Sequence, residues 1–387
     1  MTSGPQANAQ AEDAKRRDDG ANAPARLRVE RALAEVRAGR PVILTAGTEA
    51  ALVAPAESFE PRLAADMAAL ADGAARLVLP AARLRRLGLV DRAEAGAVAL
   101  PGLDAVRVAT LALALDARVD SPVAPARALD NAALELSALA LLLPPMIVAP
   151  LRAGQRPPFV AEASAEELAA FRRAQIHEVR LVSRAPVPLE GEDGAVATEF
   201  VVFRGGEGMR DQVAILVANP DLTKPVAVRL HSACLTGDLF GSLKCDCGDQ
   251  LRSTVRWMAK NGGGVLLYLD QEGRGNGIAN KMRAYRLQAQ GFDTYDADEM
   301  LGFEKDQRHY EFAAGMLKQL GVTRVRIMTN NPIKIDAMRE AGLDVVGEKR
   351  VIGRPSSYNV PYLESKRDNA GHLIDMDALV SQPLIDD

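Results

Sequence analysis

All three cysteines of this chain, Cys234, Cys245 and Cys247, stand within one short stretch of its second half. Three cysteines in 387 residues cannot form a disulfide framework, and their crowding indicates metal binding in a reducing compartment, by default the cytoplasm. A structural zinc normally has four protein ligands, whereas a catalytic zinc leaves one position open for water. Three thiolates therefore fit a catalytic zinc. The alternative is that His231 supplies a fourth ligand and that the metal only stabilises a loop.

The length and composition of the chain favour a globular protein of two domains. Domains usually contain roughly 100 to 200 residues, and 387 residues exceed one ordinary core. A formal net charge of −4 provides no positive field for a nucleic-acid polymer or a membrane surface. The run 132–149 is apolar, but Glu135, Pro144 and Pro145 interrupt it. We therefore expect a core helix followed by a strand there, and no membrane span.

The periodicity of apolar residues predicts an α/β (α+β) fold with two domains. Residues 1–25 are small and polar, lack the apolar run of a signal peptide, and are predicted to form a disordered tail. From 26 to 182, helical periodicity alternates with short β-branched runs such as PVILTA. The Pro- and Gly-rich segment that begins at 183 is typical of a domain junction. The second domain is therefore expected at 183–373, followed by a loosely attached tail at 374–387.

The second domain opens with the strand-like runs ATEFVVFRG, DQVAILVAN and PVAVRLHSA, whose turn signals favour antiparallel pairing. Two later segments have the character of phosphate sites. The glycine-rich loop QEGRGNG, with Arg274, follows a strand and precedes a helix, where backbone amides bind anions. Lys334 lies at the start of another helix, which Asn331 and Pro332 open. A plain turn and a solvated lysine are the respective alternatives.

The second half resembles GTP cyclohydrolase II over about residues 183 to 373. Its motifs follow that family's order and spacing: RLHSACLTGDLFGSLKCDCGDQL, DQEGRG, NKMRAY, LGFEKDQR, TNNPIK and GHLI. In that family the enzyme removes C8 of guanine as formate and releases pyrophosphate, which gives the diaminopyrimidine precursor of riboflavin. The resemblance thus implies GTP as the substrate and a second domain with a mixed sheet. It also implies one zinc ion per subunit, magnesium with the nucleotide, and a homodimer.

The resemblance also implies roles for individual residues. The three cysteines would bind the zinc that activates the attacking water, and Tyr285 would assist at that water. Asp306 and Arg308 match the family's proposed base and its phosphoryl-accepting nucleophile, although a guanidinium by itself suggests a phosphate clamp because it stays protonated. The nucleotide-binding positions would be Arg229, His231, Ser232, Gln250, Glu272, Gly273, Arg274, Thr294, Thr329 and Lys334.

Three positions depart from the family's pattern. Ala233 replaces the usual Glu before the first cysteine, Asn276 replaces an apolar residue after the glycine loop, and His309 replaces an acidic residue. A site that hydrogen-bonds a base discriminates sharply, so loss of the carboxylate relaxes the choice of substrate. Two alternatives follow. One is a related zinc hydrolase that opens another nucleotide base, as in uracil breakdown, and the other is a non-catalytic nucleotide-binding subunit with a structural zinc.

The first half has a weaker resemblance to 3,4-dihydroxy-2-butanone 4-phosphate synthase. The resemblance lies in AEVRAGRPVILT, LVAPAE, RLRRLGL and ELSALALLLPPMIV. That synthase binds its metal and sugar phosphate through an acidic cluster after the first strand, where this chain has TAGTEAA with Glu49 as its one carboxylate. Magnesium requires oxygen ligands, chiefly carboxylates. The domain at 26–182 is therefore expected to be catalytically inactive, with a structural role such as dimerisation.

Overall fold

The structure is a computed structural model that describes residues 23–177, 179–206, 211–304 and 308–376. These residues divide into two compact units, one ending at Arg172 and the next beginning at Arg173. Both units combine helices with a mixed sheet, which confirms the predicted α/β (α+β) class. Within the described residues, no helix has both the length and the apolar character needed to cross a membrane.

In the part of the chain described, the first unit contains seven strands and six α-helices, the last of which continues past Arg172. The strands are β1 (Val42–Ala46), β2 (Glu49–Pro55), β3 (Arg76–Leu79), β4 (Gly96–Ala99), β5 (Val123–Pro125), β6 (Met146–Pro150) and β7 (Glu162–Ser164). The helices are α1 (23–37), α2 (Pro61–Leu70), α3 (Ala81–Arg86), α4 (Ala105–Leu113), α5 (Ala128–Leu139) and α6 (Ala165–His177). Helix α1 includes 23–25, which the sequence assigned to the disordered tail.

The sheet of the first unit has the order β5-β4-β3-β6-β2-β1-β7 and carries a core on each face. Successive side chains of a strand point to opposite faces. In β6, Ile147 packs into one hydrophobic cluster while Met146 and Val148 pack into the other. The expected core helix and strand within 132–149 are α5 and β6, so that prediction is confirmed.

The second unit is built from nine strands and seven helices in its described part. The strands are β8 (Val179–Pro186), β9 (Leu189–Gly191), β10 (Gly194–Val196), β11 (Thr198–Gly205), β12 (Asp211–Val217), β13 (Val226–Ser232), β14 (Gly264–Leu269), β15 (Arg324–Met328) and β16 (Asp344–Lys349). The helices are α7 (Leu235–Asp238), α8 (Cys247–Lys260), α9 (Ile278–Gln288), α10 (Thr294–Met300), α11 (Glu311–Gln319), α12 (Pro332–Glu340) and α13 (Val360–Ala370). Because β8 belongs to this unit, the division falls earlier than the junction expected at 183.

The large sheet of the second unit has the order β16-β15-β13-β14-β12-β11-β8. Its first four strands are parallel, whereas β12 pairs antiparallel with both β14 and β11. The antiparallel pairing expected for ATEFVVFRG and DQVAILVAN is confirmed, but the prediction for PVAVRLHSA is wrong. That run is β13, which lies parallel between β14 and β15, and its nearly continuous burial is typical of an interior parallel strand.

Phe203 of β11 is fully buried in the core of the second unit, so its truncation tests the packing of this sheet. We expect Phe203→Ala to lower the free energy of unfolding of this unit by about 3–5 kcal/mol. Urea unfolding followed by fluorescence of Trp257, the single tryptophan of the chain, would measure the change in this unit. Val346→Ala, at a 42% exposed position of the edge strand β16, is the control and should cost less than about 1 kcal/mol. Equal losses in the two variants would contradict the assigned core.

Candidate active site

Three parallel strands of the second unit end at one edge of the sheet, and the chain after each strand enters the same cleft. Ala233 follows β13, Gln271 follows β14, and Thr329 follows β15, and all three line this cleft. The carboxyl ends of parallel strands are where ligands of open α/β sheets bind. The cleft is partly open to solvent and is lined by charged, polar and aromatic side chains.

The three cysteines converge at one end of this cleft. Cys234 lies two residues after β13, Cys245 lies two residues before α8, and Cys247 is the first residue of that helix. Their sulfur atoms all lie within 4.8 Å of one another, and the Cys234 and Cys245 sulfurs are 3.6 Å apart. Zinc–sulfur bonds of about 2.3 Å in a tetrahedral site place sulfur atoms about 3.8 Å apart. The cluster therefore fits a zinc-sized divalent cation.

Gly237 gives the cluster the space that it occupies. A β-carbon at this position would lie 2.7 Å from the Cys245 sulfur and 3.0 Å from the Cys234 sulfur. The first distance is shorter than real contacts of a β-carbon and the second is very tight, so a side chain here would push the thiols apart. Only glycine allows the backbone of α7 to pass this close to the thiols.

The cluster carries negative charge even before a metal binds. Hydrogen bonds from Cys245 and Cys247, together with the nearby Lys281, lower the pKa of Cys234 far below its usual value. The same thiolate raises the pKa of Cys245 to about 11 and raises that of Cys247 as well. One thiolate is thus shared by three sulfurs, and a bound cation would displace the remaining protons.

Lys281 and Glu272 stabilise the segment 234–247, which carries the three cysteines and is called the cysteine loop. The ammonium group of Lys281 lies 3.1 Å from the Cys234 sulfur and 2.8 Å from a Glu272 carboxylate oxygen. The other oxygen of Glu272 accepts a hydrogen bond of 2.6 Å from the backbone amide of Leu235. Burial opposes the charge on Lys281, but the Cys234 thiolate, Tyr285 and Glu272 outweigh it, and the pKa of Lys281 is raised. Glu272, expected at the nucleotide, therefore also holds the loop that carries the first thiol.

His231 lines the cleft but does not belong to the group of metal ligands. Its Nε2 atom lies 3.0 Å from Asp238, whose second oxygen also accepts hydrogen bonds from the Cys234 amide and the Tyr268 hydroxyl. Burial lowers the pKa of His231 despite this carboxylate, so the imidazole is neutral. Among the described residues, the group able to ligate a metal consists of the three cysteines alone. The geometry thus gives no support to His231 as a fourth ligand.

Two cations expected at the nucleotide are buried in the wall of the cleft. Arg229 donates hydrogen bonds to the Met328 carbonyl at 3.0 Å and to the side chain of Gln250. Lys334 donates to the Leu230 carbonyl at 2.8 Å and lies 5.1 Å from the centre of the Tyr310 ring. The solvated alternative for Lys334 is therefore wrong. Both cations fix the carboxyl ends of the parallel strands as well as facing the cleft.

The glycine-rich loop forms a tight turn rather than an extended cradle. The turn Glu272–Gly275 has left-handed backbone at Gly273 (φ 60°) and at Arg274 (φ 59°), the latter unusual for a residue with a side chain. Arg274 is held by an ion pair of 3.0 Å with Asp298 and stacks 4.1 Å over the ring of Tyr295. The guanidinium thus lines the cleft, and two residues of α10 hold it in position.

The remaining predicted residues lie around the same cleft. Tyr285 lies near the thiols, where burial raises its pKa to about 12 and keeps the phenol neutral. Arg308 lies 3.4 Å from the Ser232 hydroxyl, and Thr294 and Thr329 complete the lining. Asp306 lies outside the described residues.

Sequence reasoning missed several residues of the cleft. Lys281 stands in the quoted motif NKMRAY and could have been found there, because a lysine one turn before Tyr285 lies on the same helical face. Tyr362, Lys366, His372 and Ile374 also line the cleft. The last two stand in the quoted motif GHLI, whereas no quoted motif contains Tyr362 or Lys366. Ala233 and Asn276, two of the three departures from the family, do line the cleft.

In the first unit, Glu49 begins β2 and its carboxylate lies 4.0 Å from Arg127, with 56% of the side chain exposed. No cluster of three potential metal ligands occurs among the described residues of this unit.

Known proteins match this chain over most of its length. A profile of the GTP cyclohydrolase II family matches residues 177–350. GTP cyclohydrolase-2 of Xylella fastidiosa (strain Temecula1) is 45% identical over 361 residues, which cover 92% of this chain and 89% of that protein. The enzyme of the same name from Azospirillum brasilense is 45% identical over 251 residues, 63% of this chain and 64% of that one.

Two further similarities involve a riboflavin biosynthesis protein and a solved structure. Riboflavin biosynthesis protein RibBA of Chlorobium phaeovibrioides is 43% identical over 211 residues, 54% of this chain and 50% of that protein. The solved structure of RibBX, a two-domain 3,4-dihydroxy-2-butanone 4-phosphate synthase from A. baumannii, covers 84% of this chain and 99% of its own, with 18% identity. Its TM-score of 0.31 is too low to support a conclusion about fold or function. The identity to the Xylella enzyme across nearly all of both chains shows that this chain belongs to the GTP cyclohydrolase II family.

Proposed function

We propose that this chain hydrolyses GTP to 2,5-diamino-6-ribosylamino-4(3H)-pyrimidinone 5′-phosphate, formate and pyrophosphate in a zinc-dependent reaction, the first step of riboflavin biosynthesis. The observation that carries this proposal is the convergence of three thiols at the end of a cleft rich in cations, with no fourth ligand in their group among the described residues. Family membership supplies the substrate class, and this convergence supplies the reaction type.

At the purine end, zinc held by the three thiolates would lower the pKa of a bound water toward neutrality. Tyr285 remains a neutral phenol there because its pKa is about 12, and it can hold that water or the guanine C8 region by a hydrogen bond. Lys281 offsets the excess negative charge of the thiolates. Together these two side chains orient the reacting groups without changing their own protonation state.

At the phosphate end, cations surround the position where pyrophosphate would leave. Arg308, Arg274 and Lys334 all line this cleft, and fixed positive groups stabilise the charge that develops on departing phosphate. Magnesium bound to the nucleotide would add to that field. We assign to Asp306 the role of base and to Arg308 that of the nucleophile that attacks the α-phosphate and displaces pyrophosphate, as the family resemblance implies.

A related substrate is the second candidate, because Ala233 and Asn276 both line the cleft. Ala233 has no polar side chain to offer a base, and its backbone amide donates to the Leu269 carbonyl at 2.7 Å. The backbone carbonyl of Asn276 accepts a hydrogen bond of 2.9 Å from the Asn280 side chain. The family's usual Glu at position 233 is absent, so the site would select less strongly against a different ring, such as that of a uridine nucleotide.

We propose that the chain acts as a homodimer in the reducing cytoplasm, where its three thiols remain unoxidised. The domains expected at 26–182 and 183–373 would have separate roles. The first would be a synthase-like domain without catalysis, since Glu49 lies beside Arg127 and belongs to no group of three potential metal ligands within the described residues.

Turnover of GTP is the direct test of the proposed reaction. With magnesium and zinc-replete protein, we expect formate and pyrophosphate to be released in equal amounts. Parallel incubations with uridine nucleotides, followed by loss of ultraviolet absorbance, test the second candidate. Zinc-replete protein that acts on neither nucleotide would contradict both and favour a non-catalytic binding subunit.

Zinc retention tests the fit of the metal to the cluster. Gly237→Ala should lose zinc and activity together, because its β-carbon would lie 2.7 Å from a thiol. Cys245→Ser should have the same effect. Gly347→Ala is the matched control, since a β-carbon there meets no atom closer than 3.8 Å. Metal analysis of purified variants gives the readout, and full zinc in Gly237→Ala would show that the thiols are not its site.

The first domain can be tested with ribulose 5-phosphate. We expect the intact protein to yield no dihydroxybutanone phosphate with magnesium, because the described residues of this unit hold no group of three potential metal ligands. Product formation above that of a boiled control would show that the domain is active.

A further inference from the structure

The chain beyond residue 350, where the family profile ends, folds against the cysteine loop. The Ser356 hydroxyl donates to the Leu243 carbonyl at 3.0 Å, within the loop that separates the first two cysteines. Arg354 forms an ion pair of 3.0 Å with Asp249 in the first turn of α8. Further on, the Leu373 amide donates to the Asn330 carbonyl at 2.9 Å, just after β15. This segment, 353–376, is thus fixed to two of the elements that form the cleft.

The segment is packed through its last described residues. Leu363, Ile374 and Met376 are all buried in one hydrophobic cluster. The sequence assigned 374–387 to a loose tail, but 374–376 are packed, and 377–387 lie outside the described residues. Helix α13 therefore has a fixed position beside the site.

Lys366 of α13 faces a buried carboxylate between two metal ligands. Its ammonium group lies 3.6 Å from the carboxylate of Asp246, whose side chain is fully buried. In the sequence, Asp246 stands between Cys245 and Cys247. The Lys366 side chain is only 17% exposed and also lies 4.1 Å from the ring centre of Tyr362. A buried carboxylate is stable only with a charged or hydrogen-bonding partner. Lys366 supplies that charge.

Asp246 also connects Lys366 to the residues predicted to bind the nucleotide. Its second oxygen accepts a hydrogen bond from the side chain of Gln250, and Gln250 in turn accepts one from Arg229. The chain of contacts therefore runs from Lys366 through Asp246 and Gln250 to Arg229. It joins the C-terminal helix to the cysteine pair at one end and to the predicted nucleotide site at the other.

We propose that Lys366 is a positioning residue that holds Asp246, and through it the Cys245–Cys247 pair and Gln250, in the geometry that binds the metal and the nucleotide. The inference deepens the proposed function and rests on it for the identity of the ligands. Partners of this kind, which orient the groups around a metal, typically contribute about 10–100-fold to metal affinity or activity. Lys366 acts through Asp246 and is not assigned a part in the chemistry.

The test uses the full-length variants Lys366→Met, Lys366→Arg, Asp246→Asn and the double variant Lys366→Met/Asp246→Asn. Lys349→Met is the matched control, because Lys349 also lies over an aromatic ring, Trp257 at 5.0 Å, but outside the cleft. For each, zinc affinity is measured by competition with a chromogenic chelator. GTP binding by the zinc-loaded protein, the melting temperature and kcat against KM are measured in parallel.

We expect Lys366→Met and Asp246→Asn each to weaken zinc or GTP binding about 10–100-fold, with melting temperatures close to that of Lys349→Met. Lys366→Arg should recover most of the loss. The double variant should lose no more than either single one, because the two side chains act as a unit. Wild-type zinc and GTP binding in Lys366→Met would overturn the proposal, as would losses that multiply in the double variant. Chelator competition needs no turnover. Absence of GTP hydrolysis in the wild type would therefore refute the proposed reaction, while the zinc affinities of the variants could still be compared.

Discussion

The site depends on one steric constraint, the crowding of three thiols against the backbone of α7. Cys234 comes from the end of β13, while Cys245 and Cys247 come from the start of α8, and the sulfurs meet only because Gly237 has no side chain. The position of β13 between β14 and β15 is equally necessary. It brings the residues after all three strands to one edge, so that a thiol cluster and a cationic cleft adjoin.

Charge balance explains why lysines flank this cluster. A divalent ion among three thiolates leaves an excess of negative charge in a buried place, which is unfavourable without compensation. Lys281 contacts the Cys234 sulfur, and Lys366 faces Asp246 beside the other two thiols. Burial would lower the pKa of each lysine, yet the surrounding anions raise it, so both remain charged. The cluster is thus enclosed by positive groups from α9 and α13.

The sequence predicts the site well where chemistry is local and poorly where contacts are distant. Cysteine spacing and the cap of α12 by Asn331 are short-range features, and the structure has both. The parallel pairing of β13 was missed because turn signals indicate neighbours in sequence, whereas β15 lies almost a hundred positions later. Lys366 was missed for the same reason, since nothing in the C-terminal helix marks Asp246 as its partner. Asp306, known only from its motif, is still a sequence prediction.

The central claim is that zinc is held by three thiolates with one position open to water. X-ray absorption spectroscopy at the zinc edge of the purified protein tests this most directly, because it counts and identifies the ligands. We expect the zinc ion to have three sulfur neighbours at about 2.3 Å and one lighter neighbour, without the outer-shell scattering of an imidazole ring. A histidine signal or a fourth sulfur would contradict it and would identify a closed, structural site.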